Sequence, residues 1–252
     1  MKKVLRLLFL AILGLLLPVG AALAGSTIMV ATDYWPPFRI ESEDIRGIDP
    51  DILHEVGKRM GVEFVMTRMP WARCLEEMRR GGVDMMSGLA KTPERAEYIQ
   101  YSDVVYYACA PAFYAREGTK AARVSTYAGL RDFSIGYTRS SAYFEPFDSD
   151  KTLHKMAGNN EHQLLRMVSE GRWDMLIGTD CQVDYDLARM VGTENLVKVA
   201  YRPEQRVNLY MGFSKRSPFR KRMGEFDAIL RDMLANGEIS RIASRYLKVS
   251  AK

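Results

Sequence analysis

The feature that most constrains the fold is a regular alternation of short β-type runs with helical runs. Each helical run ends at glycine, as at Gly61 and at Gly81, which marks helix termination. This β-α-β-α order predicts a mainly parallel sheet flanked by helices, with ligand chemistry at the carboxyl ends of its strands. In the first part of the chain, strands are predicted at 27–31, 63–66 and 83–87, and helices at 51–60 and 72–80.

A second alternation begins near residue 133 and predicts a second lobe. Two β-rich segments, 106–116 and 207–215, resemble paired crossings between the lobes, and such a strand pair is a natural hinge. We therefore predict a discontinuous first lobe (25–112 and 213–252) and an inserted second lobe (113–212). Strands are predicted at 133–137, 173–178 and 196–200, helices at 163–170 and 187–191, and a helix pair within 218–247 broken at Asn236-Gly237.

The N-terminus predicts export. Three cationic residues precede an apolar run at 7–17, and Ala22-Leu23-Ala24 supplies the small residues of a cleavage site. The run is shorter than the roughly 20 apolar residues of a membrane-spanning helix. We therefore predict a cleaved signal peptide at 1–24 and a mature chain in the periplasm.

Charge and cysteine content narrow the function classes. The chain has 36 Lys+Arg and 31 Asp+Glu, and cleavage would remove three cations, which leaves 33 against 31. No basic tract with interleaved aromatic residues is present, so nucleic acid is not an expected partner. Cys74, Cys109 and Cys181 allow one disulfide and one free thiol, with the pairing open. Their spacing fits no zinc motif, and we expect no metal and no cofactor.

The strongest local signal for a binding site lies at 82–95, where a strand runs into a turn of small residues and then a helix. Thr92 is a predicted N-cap and Pro93 the first helical residue. Free backbone N–H groups and Arg95 would then lie at one strand end, an arrangement that suits a carboxylate. On spacing alone, a surface arginine paired with Glu94 or Glu97 is an equal alternative.

The stretch from Asp84 to Arg95, followed by Ile99-Gln100-Tyr101-Ser102, resembles the family 3 extracellular solute-binding proteins, the polar amino-acid receptors of ABC importers. Other segments are similar to elements of that family in the same order, namely 31–38, 47–52, 133–137 and 171–174. The resemblance implies a two-lobed type II periplasmic-binding-protein fold, in which each lobe is a mainly parallel α/β sheet and two hinge strands join the lobes.

The resemblance also implies roles for residues of the first lobe. Arg95 matches the arginine that holds the ligand carboxylate, and Gly88 would offer backbone groups in the same turn. Trp35 and Trp71 match the walls around the ligand side chain, with Tyr34 beside Trp35 as a further contact. For the two tryptophans, packing between lobes is the alternative.

In the second lobe the match is less complete. Ser141 keeps a hydroxyl of the family pattern, whereas Thr179 stands where the family has its ammonium-binding aspartate, with Asp180 next to it. Arg139 is an additional candidate donor, and a solvated surface arginine is its alternative. Because Ala90 and Ala142 each lack a hydroxyl of the pattern, the resemblance implies a small carboxylate-bearing solute and leaves its ammonium open.

The function that follows is that of a non-enzymatic, monomeric binding protein. It would close over its ligand and engage the membrane permease of an ABC transporter transiently. One alternative is an enzyme resembling cyclohexadienyl dehydratase, for which Glu145, Asp180 and His162 are the candidate general acids. The other alternative is a stand-alone periplasmic sensor module.

Overall fold

Two mixed β-sheets, each flanked by helices, organise the chain in the computed structural model, which describes residues 26–40 and 44–247. The predicted signal peptide therefore lies outside the described residues. No helix in the described part of the chain is long and apolar enough to cross a membrane.

The first lobe contains a six-stranded sheet in the order β2-β1-β3-β11-β4, with β5 paired to β11. Its strands are β1 (Ser26–Thr32), β2 (Val62–Arg68), β3 (Met85–Leu89), β4 (Ile99–Tyr101), β5 (Tyr107–Cys109) and β11 (Val207–Ser214). Its helices are α1 (Ile48–Met60), α2 (Trp71–Arg80), α3 (Pro93–Ala96), α6 (Met223–Ala235) and α7 (Glu238–Leu247), and Pro218–Arg222 is a 3-10 helix.

The second lobe contains a five-stranded sheet in the order β10-β6-β9-β7-β8. Its strands are β6 (Pro111–Arg116), β7 (Ser134–Thr138), β8 (His154–Gly158), β9 (Met175–Thr179) and β10 (Leu196–Lys198). Its helices are α4 (Glu161–Ser169) and α5 (Asp180–Leu187), and two 3-10 helices cover Ala121–Arg123 and Ala128–Asp132.

Both sheets are mixed because the strands next to the lobe crossings run antiparallel to the rest. In the first sheet, β1 is parallel to β2 and β3, whereas β11 is antiparallel to β3, β4 and β5. In the second sheet, β7 is parallel to β8 and β9, whereas β6 is antiparallel to β9 and β10. Of the parallel strands, β1, β2, β3, β7 and β9 are ones that the β-α-β order predicted.

Local sequence explains most helix ends. Gly61 and Gly81 end α1 and α2 in the left-handed conformation, at φ 66° and 77°. The terminal helix pair is interrupted at Asn236-Gly237, as predicted. Apolar side chains of α1 and α6 enter the core of the first lobe, and those of α4 enter the core of the second.

One helix and two strands differ from the sequence-based prediction. The helix predicted at 187–191 is wrong, because α5 ends at Leu187 and turns follow. Leu187 and Met190 both pack against the second lobe's core, which gives a helix-like apolar spacing without a helix. Strands β4 and β8 were not predicted. Strand β8 pairs with β7 at the edge of the described sheet, and its residues alternate between exposed and half-buried up to the buried Gly158.

Two strands cross between the lobes side by side. Strand β5 continues past Ala110 into β6, and β5 pairs antiparallel with the start of β11 through Val207 and Cys109. Strand β6 belongs to the second sheet, while β11 pairs only with strands of the first sheet among the described residues. The predicted boundaries at 112/113 and 212/213 stay a prediction.

A disulfide joins Cys109 to Cys181 across a sequence separation of 72. It connects β5 of the first sheet to the first turn of α5 in the second lobe, beside the crossing. Cys74 is a free, buried thiol, and burial raises its pKa to about 12. The three cysteines thus form one disulfide and one unreactive core thiol.

Candidate functional site

The carboxyl ends of the parallel strands in both lobes face one another across a cleft. Residues that directly follow β1, β2 and β3, among them Trp35 and Trp71, line one side, and residues at or after the ends of β7, β8 and β9 line the other. This is the edge at which open α/β sheets bind ligands. The cavity between the lobes is partly open to solvent and has a volume of about 50 Å³.

Arg95 lies in this cavity and is held by local capping. Thr92 caps α3 by accepting a hydrogen bond from the Arg95 backbone N–H at 3.2 Å. The side chain is 4% exposed, and its Nη1 donates to the Ala90 carbonyl oxygen at 2.9 Å. Its Nη2 donates to the Ser140 carbonyl oxygen in the second lobe at 2.6 Å. A guanidinium has five N–H donors, so it can bind a carboxylate as well as these carbonyls.

A second buried arginine, Arg39, borders the cavity on the first-lobe side. Its Nη1 donates to Asp49 Oδ2 at 2.6 Å, and its Nη2 and Nε donate to Asp33 Oδ1 at 2.7 and 3.2 Å. Asp49 also accepts hydrogen bonds from Ser87 Oγ and the Tyr106 hydroxyl, both at 2.7 Å. Burial lowers the pKa of Arg39, but the two carboxylates outweigh this effect and raise it, so Arg39 stays charged.

Gly88 makes this arrangement sterically feasible. It has φ 69°, and a Cβ at this position would lie 2.6 Å from Arg39 Nη1 and 3.3 Å from the Trp35 ring. The Trp35 ring stacks on Phe38 at a centroid distance of 4.5 Å, and the Arg39 guanidinium lies 5.0 Å from the Trp35 centroid. Only glycine permits this packing of backbone, guanidinium and indole.

Glu161 is the acidic side chain that the second lobe contributes to the cavity. It is the first residue of α4, after the Asn160 N-cap, and is 6% exposed. Burial, with a smaller contribution from the negative charge of Asp33, raises the pKa of Glu161 to about 7, although hydrogen bonds with Thr138 and Gln182 act in the opposite direction. The Thr179 hydroxyl also lines the cavity, and its buried Oγ1 has no hydrogen-bond partner among residues 26–40 and 44–247. The second lobe therefore offers a carboxyl and an unsatisfied hydroxyl to a ligand.

The lobes touch on both sides of the cavity. Trp71 Nε1 donates to the Ser140 carbonyl oxygen at 3.2 Å, next to the Arg95 contact. On the other side, the Tyr34 hydroxyl donates to Asp186 Oδ1 at 3.4 Å, and the Tyr34 ring lies 4.6 Å from His162 between centroids. Ser140 itself has φ 62°, a conformation uncommon for a residue with a side chain.

Of the nine residues expected to bind the ligand, six line the cavity and three do not. Tyr34 lies at the edge of the cleft, and the Arg139 side chain is exposed. Asp180 accepts hydrogen bonds from the backbone N–H groups of Ala110 and Cys181, each at 2.8 Å. The six in the cavity are Arg95, Gly88, Trp35, Trp71, Ser141 and Thr179.

The candidate general acids also lie elsewhere. His162 Nε2 is 3.3 Å from Asp186 Oδ1, which raises the pKa of the histidine by hydrogen bonding. Glu145 is exposed and accepts a hydrogen bond from Ser149 Oγ. Neither these two residues nor Asp180 lines the cavity.

Sequence reasoning missed the charged residues Asp33, Arg39 and Glu161. The first two flank the aromatic–proline turn, and Glu161 follows a predictable N-cap asparagine. Their positions near strand ends were a usable signal. The pairing of Arg39 with Asp33 and Asp49 was not readable, since it depends on how the turn after β1 folds onto α1.

Comparison with known proteins places the chain in a family. A family model described as bacterial extracellular solute-binding proteins, family 3, matches residues 28–249. The arginine-binding extracellular protein ArtP of Bacillus subtilis (strain 168) is 30% identical over 79 residues. That alignment covers 31% of this chain and 31% of ArtP, so it spans about a third of this curated relative.

Solved structures share the fold at low identity. A histidine kinase sensor domain with similarity to periplasmic binding proteins has a TM-score of 0.79 at 18% identity, covering 89% of this chain and 97% of that one. A mutant of ArgBP from T. maritima has a TM-score of 0.77 at 17% identity, covering 89% and 96%. The predicted two-lobed α/β fold is confirmed by these matches. With its family model matched along nearly the whole described chain, the protein belongs to the bacterial extracellular solute-binding proteins, family 3.

Proposed function

We propose that this protein is the periplasmic receptor of an ABC importer and binds a small carboxylate-bearing solute in the cavity between its lobes. The observation that carries the proposal is the buried Arg95 guanidinium at the cavity wall, with its two N–H contacts to carbonyls of both lobes. A carboxylate at this point would accept hydrogen bonds from guanidinium N–H groups that the two carbonyls do not use. Secretion with removal of residues 1–24 belongs to the same proposal.

Hinge closure follows from the way the lobes are joined. Strand β5 and the start of β11 lie paired at the crossing, and few side-chain contacts join the cavity walls in the described part of the chain, for example Trp71 with Ser140. Breaking these contacts would open the cleft while the hinge strands stay paired. A ligand that contacts both walls would then shift the population toward the closed form, which is the form that a permease would recognise.

The test is a ligand screen on purified mature protein with two variants. Thermal unfolding is followed with amino acids, dicarboxylates and other small organic acids, since a ligand that binds only the folded state raises its stability. Arg95→Ala should lose the ligand-induced rise, whereas Arg166→Ala, at an exposed arginine of the second lobe, should keep it. The absence of any stabilising carboxylate, or an Arg95→Ala variant that responds like wild type, would refute the proposal.

One observation favours an enzymatic alternative on the same fold. An enzyme that protonates its substrate needs a buried acid with a pKa near the working pH, and Glu161, with its pKa of about 7, is such a group. Recovering the stabilising compound after incubation separates the two functions. A receptor returns it unchanged, whereas a dehydratase-like enzyme returns a product and loses turnover in Glu161→Gln.

A further inference from the structure

Two acidic side chains from opposite lobes line the cavity in addition to Arg95. Asp33 follows β1 in the first lobe, and Glu161 is the first residue of α4 in the second. The negative charge of Asp33 contributes to the raised pKa of Glu161, so the two carboxyls interact electrostatically across the cavity. A positive group of a ligand that lies between them would be stabilised by both.

On the first-lobe side, negative charge exceeds positive charge. Arg39 is shared between Asp33 and Asp49, so this first-lobe cluster of one cation and two carboxylates has a net charge of −1 when both are ionised. Both contacts of Arg39 to Asp33 reach the same oxygen, Oδ1, which leaves Oδ2 for another donor. The Asp33 side chain is 17% exposed, so a ligand in the cavity can reach it.

On the second-lobe side, Glu161 has no cationic partner. In the described part of the chain, no arginine, lysine or histidine forms an ion pair with it. Thr138 and Gln182 are its hydrogen-bonding neighbours, and the buried Thr179 Oγ1 in the same wall has no hydrogen-bond partner among the described residues. Ionising a carboxyl buried in this way is unfavourable until a cation pairs with it.

Arg95 supplies a positive charge to the cavity and, among the described residues, forms no ion pair with either acid. It contacts the Ser140 carbonyl oxygen, and its guanidinium lies 5.6 Å from the centroid of the Trp71 ring. A ligand carboxylate bound to Arg95 would neutralise this cation, whereas the first-lobe cluster would keep its charge of −1 and Glu161 would add to it on ionising. A second ligand carboxylate would then be repelled, and a ligand cation attracted.

We propose that Glu161, together with Asp33, binds a cationic group of the ligand and is a specificity-determining residue, so that the protein selects solutes with an ammonium group beside the carboxylate. This inference rests on the proposed receptor function. An ammonium has three N–H donors, which the Glu161 carboxylate, Asp33 Oδ2 and the Thr179 hydroxyl would accept. The cation is then bound from the start of α4 and not from position 179, where the resemblance to the family places an aspartate.

The test compares each amino acid with the carboxylic acid of the same carbon skeleton that lacks the amino group. Binding is measured by calorimetry on wild type, Glu161→Gln and Glu170→Gln. Wild type should bind the amino acid at least about tenfold more tightly than its deaminated partner. Glu161→Gln should lose this preference and leave the affinity for the deaminated acid unchanged. Glu170→Gln is the matched control, because Glu170 forms an exposed ion pair with Arg172 and should behave like wild type.

A proton measurement separates direct contact with the ligand from a structural role. At about pH 6 a carboxyl with a pKa of about 7 is mainly protonated, and pairing with an ammonium would ionise it. Asp33, Tyr143 and His162 are the titratable groups that interact with Glu161. Calorimetry in two buffers of different ionisation enthalpy should show release of up to about one proton per ligand from wild type and from His162→Gln, and clearly less from Glu161→Gln.

The outcomes separate this inference from the proposed function. Wild type that binds the deaminated acids as tightly as the amino acids overturns the inference and leaves a carboxylate receptor standing. A folded Glu161→Gln variant with the wild-type preference, or with wild-type proton release, also overturns it. If Glu161→Gln does not fold, Glu161→Asp, which withdraws the carboxylate by one methylene, takes its place with the same expectation. Binding of amines that lack a carboxylate, with no carboxylate bound, would support the role of Glu161 and refute the proposed function.

Discussion

Glu161 makes the stability of this protein depend on pH in a direction opposite to that of most carboxylates. Its side chain is almost fully buried, and burial raises its pKa from an ordinary 4.5 to about 7. Between pH 4.5 and about pH 7, the folded state therefore keeps a proton on Glu161 that the unfolded state has released. Stability is full below pH 4.5 and falls as the pH rises toward 7, because ionising the buried carboxyl is unfavourable.

The size of the effect follows from the two pKa values. A difference of roughly 2.5 pH units corresponds to about 3 kcal/mol of unfolding free energy, since each unit is worth about 1.4 kcal/mol. Replacing Glu161 by glutamine keeps the shape and removes the ionisation. The variant should therefore be up to about 3 kcal/mol more stable than wild type at pH 8 and should lose this advantage at pH 4.5.

The assay is urea unfolding of wild type and Glu161→Gln at pH 4.5 and pH 8, with the free energy obtained by linear extrapolation. Other carboxyls contribute to the profile, since burial raises the pKa of Asp148 to about 6. The difference between the two proteins isolates Glu161. Glu170→Gln is the control, because Glu170 forms an exposed ion pair with Arg172 and should matter little at either pH.

If Glu161→Gln is more stable than wild type by the same amount at both pH values, Glu161 is ionised at both. A variant that is less stable than wild type at pH 8 would show that the carboxylate is compensated in the folded state by a partner. Either result would refute the account of Glu161 as a buried acid with a raised pKa, and with it the enzymatic alternative.

Two further substitutions test the geometry around the cleft. Gly88→Ala should destabilise the protein by about 2 kcal/mol or more in urea unfolding, because the positive φ of this residue disfavours a side chain and the new Cβ would lie 2.6 Å from Arg39 Nη1. Unchanged stability would show that the turn relaxes freely. Replacing both Cys109 and Cys181 by serine should cost about 4 kcal/mol, from loop-closure entropy over a separation of 72 residues, by the same measurement under non-reducing conditions. Equal stability with and without the disulfide would contradict that estimate.

Much of the fold was predictable because its signals are local. Glycines in the left-handed conformation end α1 and α2, and the break at Asn236-Gly237 separates the terminal helices, all as the residue pattern indicated. The sequence-based prediction was wrong where apolar residues contact the core without forming a helix, or where a strand depends on a neighbouring strand. The apolar residues after Leu187 serve the core without forming a helix, and β8 is a strand only because β7 lies beside it.

The candidate site was also predictable from the sequence only in part. The stretch from Gly88 to Arg95 was identified from its order of strand, turn, cap and arginine, and the structure places both of these residues in the cavity. Thr179 was identified as a position where a charged ligand contact is missing, and its buried hydroxyl lacks a partner. These positions follow from chain order, since a residue just past a parallel strand reaches the cleft edge of the sheet.

What the sequence determined by itself is the two-lobed architecture, the family and the arginine at the cleft, because periodicity, caps and motif order act over a few residues at a time. Only the tertiary structure decided that Arg39 pairs with both Asp33 and Asp49, that Glu161 is buried on the opposite side of the cavity, and that Cys109 is bonded to Cys181. These contacts bring together residues up to 128 positions apart in the chain, as for Glu161 and Asp33. The net charge around a ligand in the cavity depends on which side chains are paired with one another, so it is determined by the packing of the two lobes.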